Sequence, residues 1–220
     1  MQSDAERTQP DTAMQVGNLV EMIHDAYLIG VGRILVLVRH GEAEQVDTGD
    51  RYDPQLSTTG RSQVQAVATR LADWPGAGEA ALFTSPLRRA AQTAQAIADS
   101  LGLTPETEPE LAEVGKKAAP SAIRLPDTNA GLARFEWDSS NKTFQSTAIA
   151  GITDILDRSS SGMVIAVTHG GVINAYTSYL LGLNCEFFFL PESTSLTIAR
   201  ILNGRVALDR LNDTGHLDSL

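Results

Sequence analysis

Three short segments of the 220-residue chain carry side chains that could hold and transfer an anion: Arg39-His40-Gly41, Arg88-Arg89 and His169-Gly170-Gly171. Histidine is the side chain best suited to nucleophilic or acid–base work near neutral pH, and the planar guanidinium of arginine can hold two phosphate oxygens at once. Each segment also has a plain alternative. His40 could be a core histidine, Arg88 and Arg89 a solvated helix start, and His169 a loop residue beside turn glycines. Their shared placement decides between the two readings. Each follows an apolar run that reads as a strand: Ile34 to Val38, Ala81 to Thr84, and Met163 to Thr168. In an open α/β sheet, ligands bind in the crevice outside the carboxyl ends of the parallel strands. Helices opening at Ser85-Pro86 and at Gly170-Gly171 would add unpaired backbone N–H groups and positive dipole ends to that crevice. Together these groups make a pocket for phosphate.

The elements that must position them follow from hydrophobic periodicity. From Arg33 onward strands and helices alternate, which predicts an α/β fold of three layers, α/β/α, with a mostly parallel central sheet flanked by helices. Ile34 to Val38 is continuously apolar, as a strand buried on both faces must be. Gly60 to Trp74 reads as a helix burying Val64, Val67, Ala68 and Leu71. Ser85 and Pro86 read as the cap and first-turn proline of a helix running to Leu101, with Leu87, Ala91, Ala94, Ile97 or Ala98, and Leu101 inward. Glu106 to Leu111 is a candidate third strand, Asn141 to Arg158 and Val172 to Leu181 are helices, and Leu196 to Leu211 is a hairpin turning at Asn203-Gly204. Periodicity is lost between Glu113 and Asp138, so a loop or lid is expected there. Residues 1–32 form a separate extension, a polar tail followed by an amphipathic helix from Val16 to Ile29. That helix reads as a docking element, for its own domain or for a second subunit in a homodimer. The main domain is residues 33–220.

Composition narrows the classes. Hydrophobic residues at 42% and charged residues at 20% describe a globular chain of one domain with an appendage. Seventeen basic against twenty-seven acidic side chains give a net charge of −10, which predicts no nucleic acid and no membrane as partner. No stretch approaches the roughly 18 apolar residues of a membrane span. The acidic start is unlike a signal peptide, and Cys185 stands alone, so the expected compartment is the cytoplasm. Other motifs fail. G-x-S-x-G is absent, Gly115-Lys116 lacks the upstream glycine and following hydroxyl of a P-loop, and Gly30-Val31-Gly32 precedes its strand. A metal held by His40 and His169 is disfavoured, because flanking arginines repel a cation.

Four motifs in order resemble a known family. Leu37-Val38-Arg39-His40-Gly41-Glu42, Thr84-Ser85-Pro86-Leu87-Arg88-Arg89-Ala90 with Gln92-Thr93-Ala94, Leu111-Ala112-Glu113, and Val167-Thr168-His169-Gly170-Gly171 are similar to the successive motifs of the histidine phosphatase superfamily, the phosphoglycerate mutase-like fold. The resemblance runs from about Arg33 to the end of the chain. It implies that His40 is the nucleophile of a phosphohistidine mechanism, that Arg39 and Arg89 bind the phosphoryl oxygens, and that His169 and Gly170 complete the pocket. Arg88 could exchange places with Arg89. The resemblance also implies that Glu113 protonates the leaving oxygen and then activates water, with Glu110 as its rival, and that neither metal nor cofactor is needed. A carboxyl beside a phosphate dianion gains proton affinity, which suits that double role. Glu42 and the turn from Ser57 to Gly60 also fit the family pattern, as scaffold and helix cap or as part of the catalysis.

The reaction expected is hydrolysis of a small phosphorylated metabolite by a phosphoric monoester hydrolase of the histidine acid phosphatase type. The alternative is a cofactor-dependent phosphoglycerate mutase; a third reading is a silent phospho-ligand binding module. Mutases of this superfamily carry a longer insertion between the acid and the second histidine. Here only 55 residues separate Glu113 from His169, which favours access of water. After the acid the chain reads Val114-Gly115-Lys116-Lys117-Ala118, a departure from the family pattern that bears on substrate. Lys116, Lys117, Arg124 and Arg134 could grip a substrate carboxylate or a second phosphate.

Overall fold

A computed structural model describes residues 32–45, 52–113, 139–183, 187–218 and 220. The N-terminal extension, the segment 114–138 with its four basic residues, and Cys185 lie outside the described residues. Among those described, six strands and four α-helices follow one another as β1 (Arg33–Arg39), α1 (Thr58–Ala72), β2 (Ala81–Thr84), α2 (Arg88–Leu101), β3 (Glu106–Thr107), α3 (Ser139–Arg158), β4 (Met163–Thr168), α4 (Gly170–Leu180), β5 (Leu196–Leu202) and β6 (Arg205–Asp213). No helix among the described residues is long and apolar enough to cross a membrane.

The sheet order is β3-β2-β4-β1-β5-β6. The pairs β3–β2, β2–β4 and β4–β1 are parallel, while β1–β5 and β5–β6 are antiparallel. Side-chain alternation splits the core into two layers, as a sheet covered on both faces requires. Val36, Val38, Ile165 and Val167 face α1 and α2, where Val67, Leu71, Ala94 and Ile97 meet them. Leu35, Leu37, Val164 and Ala166 face α3 and α4, against Ile152, Ile155 and Ile173. Every residue of β4 is buried, which accounts for its unbroken apolar sequence. Each large side chain so buried is worth about 1.5–3 kcal/mol, and this packing is what holds the strand ends in register.

Register matters most for function. Arg39 sits opposite Thr168, and Thr84 opposite Val167, so the carboxyl ends of β1, β2 and β4 lie side by side at one edge. Because β5 runs antiparallel to β1, with Val38 opposite Leu196, the chain entering β5 reaches the same edge.

Three expectations need correction. Helix α2 begins at Arg88 with Leu87 at its cap position, so Ser85 and Pro86 precede it instead of capping it. The buried Ser85 hydroxyl is engaged elsewhere, and the Arg88 N–H donates to Asp53 Oδ1 at 2.6 Å, so this helix start is satisfied by a carboxylate. Its inward face is turned from the one expected: Arg89, Ala90, Thr93, Ala94, Ile97 and Ala98 are the buried residues, because Arg89 and Thr93 face the sheet edge. The third strand is only Glu106–Thr107 and gives way to a 3-10 turn at Pro109–Leu111. Pro109 has no N–H to continue the ladder. The C-terminal hairpin turns where expected, with Asn203 at φ 50 and Gly204 at φ 73, the paired positive φ values of a two-residue turn matched to strand twist.

Candidate active site

The loop after β1 is packed tightly against the start of α1. Ser57 caps that helix by accepting from the Gly60 N–H at 2.9 Å, and its hydroxyl donates to Glu42 Oε1 at 2.6 Å. A Cβ on Gly60 would collide with the Glu42 carbonyl, and one on Gly41 would lie 2.8 Å from the Gly60 carbonyl. Glycine at both positions permits this approach, and Glu42 with Ser57 acts as scaffold. The Gly41 N–H donates to Thr93 Oγ1 at 3.1 Å, which ties the loop to α2.

His40 projects from this loop and is 7% exposed; His169, the residue preceding α4, is 0% exposed. Their ring centroids are 5.0 Å apart at an interplanar angle of 60°. Arg89 joins them: its Nε donates to His40 Nε2 at 3.0 Å and its Nη2 to His169 Nδ1 at 3.2 Å. A guanidinium can only donate, so both imidazole nitrogens facing it must be lone pairs. The tautomers follow. His40 carries its proton on Nδ1, donated to the Gly41 carbonyl at 2.7 Å, and His169 carries its proton on Nε2, donated to Ser85 Oγ at 2.8 Å. His40 Nε2 is thereby left as the unprotonated nitrogen of its ring.

Electrostatics reinforce that assignment. Burial pushes the His40 pKa down from 6.5 to about 3; the Gly41 carbonyl opposes this, and the charges of Arg89 and Arg39 add to it. His169 is held well below its ordinary value by burial, by His40 and by the two arginines. Both rings are neutral at pH 7. Arg39 comes from the last position of β1 and donates through Nη1 to the Pro191 carbonyl, while its Nε is buried with no hydrogen-bond partner among the described residues. A buried N–H left unpaired costs about 1–3 kcal/mol, which an anion accepting from it would recover. Gly170 lies against Arg39: a Cβ there would be 3.8 Å from Arg39 Nε.

Glu113 closes the opposite side. Its carboxyl rests on Gly171, where a Cβ would collide with Glu113 Oε1, and its charge acts on both Arg39 and Arg89. Glu110, the rival, has its Cβ beside Gly151 of α3. The sequence favoured Arg89 over Arg88 and left a swap open; the structure places Arg89 between the histidines, at 8% exposure, and leaves Arg88 exposed. Phe189 packs on the core and Phe188 on Phe189, so neither is a stacking platform over the site. Ser85, Thr93 and the Pro191 carbonyl escaped the sequence reading as site partners. Ser85 and Thr93 lay within quoted motifs, but nothing local identified what they would touch.

Two arginines around the unprotonated nitrogens of two buried imidazoles, with a carboxyl close by, are equipment for phosphoryl chemistry. The chain belongs to the histidine phosphatase superfamily, branch 1, whose profile matches residues 35–214. It is 29% identical over 192 residues, 79% of this chain and 90% of the relative, to a 2,3-bisphosphoglycerate-dependent phosphoglycerate mutase of Thermoplasma acidophilum. It is 31% identical over 175 residues, 69% of this chain and 75% of the relative, to a glucosyl-3-phosphoglycerate phosphatase of Mycolicibacterium vanbaalenii. Among solved structures, a phosphoserine phosphatase variant of Entamoeba histolytica in complex with phosphoserine superposes with a TM-score of 0.65 at 22% identity, covering 84% of this chain and 99% of that one. That likeness shows the fold.

Proposed function

We propose that the protein is a phosphomonoesterase that hydrolyses a small phosphorylated metabolite through a phosphohistidine at His40. The observation that carries this reading is the pair of hydrogen bonds on the His40 ring, Nδ1–H to the Gly41 carbonyl and Nε2 accepting from Arg89. A phosphoryl group entering between Arg89 and His40 accepts the guanidinium hydrogen bonds on its own oxygens and so frees the Nε2 lone pair. Arg39 supplies a second set of donors, and the Gly170 N–H and His169 complete the cradle. The Nε2 lone pair attacks phosphorus, the ester P–O bond breaks, and the departing oxygen takes the proton of the Glu113 carboxyl. Because Nδ1 keeps its proton, the phosphorylated ring is a cation and departs as neutral imidazole, a far better leaving group than imidazolate. Water then attacks phosphorus as Glu113 takes its proton, the P–N bond breaks, and inorganic phosphate departs with His40 restored. Fixed positive charge and positioning supply the stabilisation, so activity is expected to survive a chelator.

The acid–base role of Glu113 has its own test. Glu113→Gln should lower kcat/KM, which reports the phosphorylation step, by about 10²–10⁴ for an alkyl phosphate and much less for p-nitrophenyl phosphate, whose leaving group needs no proton. Equal losses on both esters would remove Glu113 from that step.

A second reading, phosphoryl return to substrate instead of water, is favoured by the mutase among the relatives. The short span between Glu113 and His169, 55 residues that include the twenty of α3, supports hydrolysis. Phosphate release and mutase turnover should be measured side by side on 3-phosphoglycerate, glucosyl-3-phosphoglycerate and phosphoserine. Mutase turnover far above hydrolysis would replace the first reading with the second. A cytoplasmic location, with neither nucleic acid nor membrane as partner, goes with the proposal and rests on the charge of −10.

A further inference from the structure

The loop of residues 190–195 reaches the active-site edge because β5 runs antiparallel to β1, and it grips the end of β1 from several directions. The Thr194 N–H donates to the carbonyls of Arg39, at 3.1 Å, and His40, at 3.3 Å, while the Arg39 N–H donates to the Ser195 carbonyl at 3.2 Å. The Pro191 carbonyl takes the Arg39 guanidinium. Thr194 does this from a fully buried position at φ 60, a left-handed conformation that a β-branched residue adopts only when its surroundings impose it.

Those surroundings are the C-terminal segment. Arg70 of α1 forms a paired ion bridge to Asp213, Nη1 to Oδ1 at 2.9 Å and Nη2 to Oδ2 at 2.6 Å. Its Nη1 also lies 3.3 Å from His216 Nδ1, so that nitrogen accepts and the ring proton sits on Nε2. Nε2–H then donates to Thr194 Oγ1 at 3.0 Å, and the Thr194 hydroxyl donates to the Ser193 carbonyl at 2.7 Å. A second tie runs from Asn212, whose Oδ1 accepts from the Glu192 N–H at 2.7 Å. Every donor in the relay from Arg70 to Ser193 has one direction.

We propose that His216, anchored by Arg70 and Asp213 and assisted by Asn212, is a positioning residue that holds Thr194 in place and through it sets Arg39 and His40 for phosphoryl transfer. The inference rests on the reading of Arg39 and His40 given above. His216 touches none of the reacting groups; it acts through the 190–195 loop. It borders an open surface groove of about 760 Å³, so replacing it leaves no sealed cavity in the core.

Two substitutions test this. His216→Phe keeps the ring volume and removes both hydrogen bonds, whereas His216→Gln can accept from Arg70 and donate to Thr194. With p-nitrophenyl phosphate, and at a temperature well below the melting midpoint of each variant, His216→Phe should lose about tenfold or more in kcat/KM, because misplacing reacting groups by an ångström or less is that costly. His216→Gln should recover most of it. Wild-type rates in His216→Phe, or equal losses in both variants, would overturn the proposal. His40→Ala is measured alongside: phosphate release surviving there removes the reading of the site itself. An inactive His40→Ala beside a fully active His216→Phe removes only the positioning role.

Discussion

Replacing His40 by alanine is expected to lower phosphate release by about 10⁴-fold or more, equivalent to roughly 5.5 kcal/mol of transition-state stabilisation. The expectation comes from the singular state of His40 Nε2. Burial and two arginine charges hold the ring pKa down to about 3 from 6.5, so the attacking nitrogen is neutral across the physiological range. The Gly41 carbonyl fixes the proton on the other nitrogen at 2.7 Å. Both nitrogens of His169 are engaged, by Arg89 at 3.2 Å and by Ser85 at 2.8 Å. Rapid quenching of the wild-type enzyme with labelled substrate should trap a phosphorylated protein whose label is lost in acid and kept in alkali, as phosphorus on a ring nitrogen behaves. The same experiment on His40→Ala should trap nothing. A label in both proteins would place the covalent step elsewhere, or show that none exists at His40.

The second large effect is expected at Arg89, whose guanidinium donates to both histidines. Arg89→Ala should cost about 10²–10³-fold in kcat/KM, the usual loss when a preorganised charged donor is taken from a transition-state site. It should also move the pH profile. Arg89 lowers the pKa of His40, although burial is the larger cause, so removing its charge raises that pKa. The free enzyme must carry His40 neutral to react, and kcat/KM therefore falls as pH drops through the His40 pKa. A raised pKa places that acid limb at higher pH in Arg89→Ala than in the wild type. Arg89→Lys keeps a charge but loses the two-pronged geometry, and should restore the position of the limb better than the rate. An unchanged profile in Arg89→Ala would show that its guanidinium does not control the nucleophile.

These expectations depend on how neighbouring elements meet, and local sequence announced only part of that. The apolar run Ile34 to Val38 and the unbroken Met163 to Thr168 identified β1 and β4 because a strand buried on both faces has no polar position to spare. Alternation of strand and helix then placed Arg39, His40 and His169 at one edge, since parallel strands share a carboxyl end. The boundaries of α2 were harder. Ser85-Pro86 has the composition of a cap, yet the His169 imidazole takes the serine hydroxyl, a partner 84 residues away that no window along the chain contains.

By itself, the sequence determined the class of fold and the family, because hydrophobic period and the motifs around Arg39, Arg89, Glu113 and His169 are properties of consecutive residues. Tertiary structure decided everything that depends on direction. Arg89 and not Arg88 turns inward, since one step along a helix rotates a side chain by about 100° and only packing on the sheet sets the zero. The His40 ring carries its proton on Nδ1 and keeps Nε2 as a lone pair because a carbonyl and a guanidinium, brought from two separate elements, assign it. His216 meets the loop that holds Arg39 only because β5 runs antiparallel to β1 and β6 returns alongside it, which carries residues 213–217 back to Thr194.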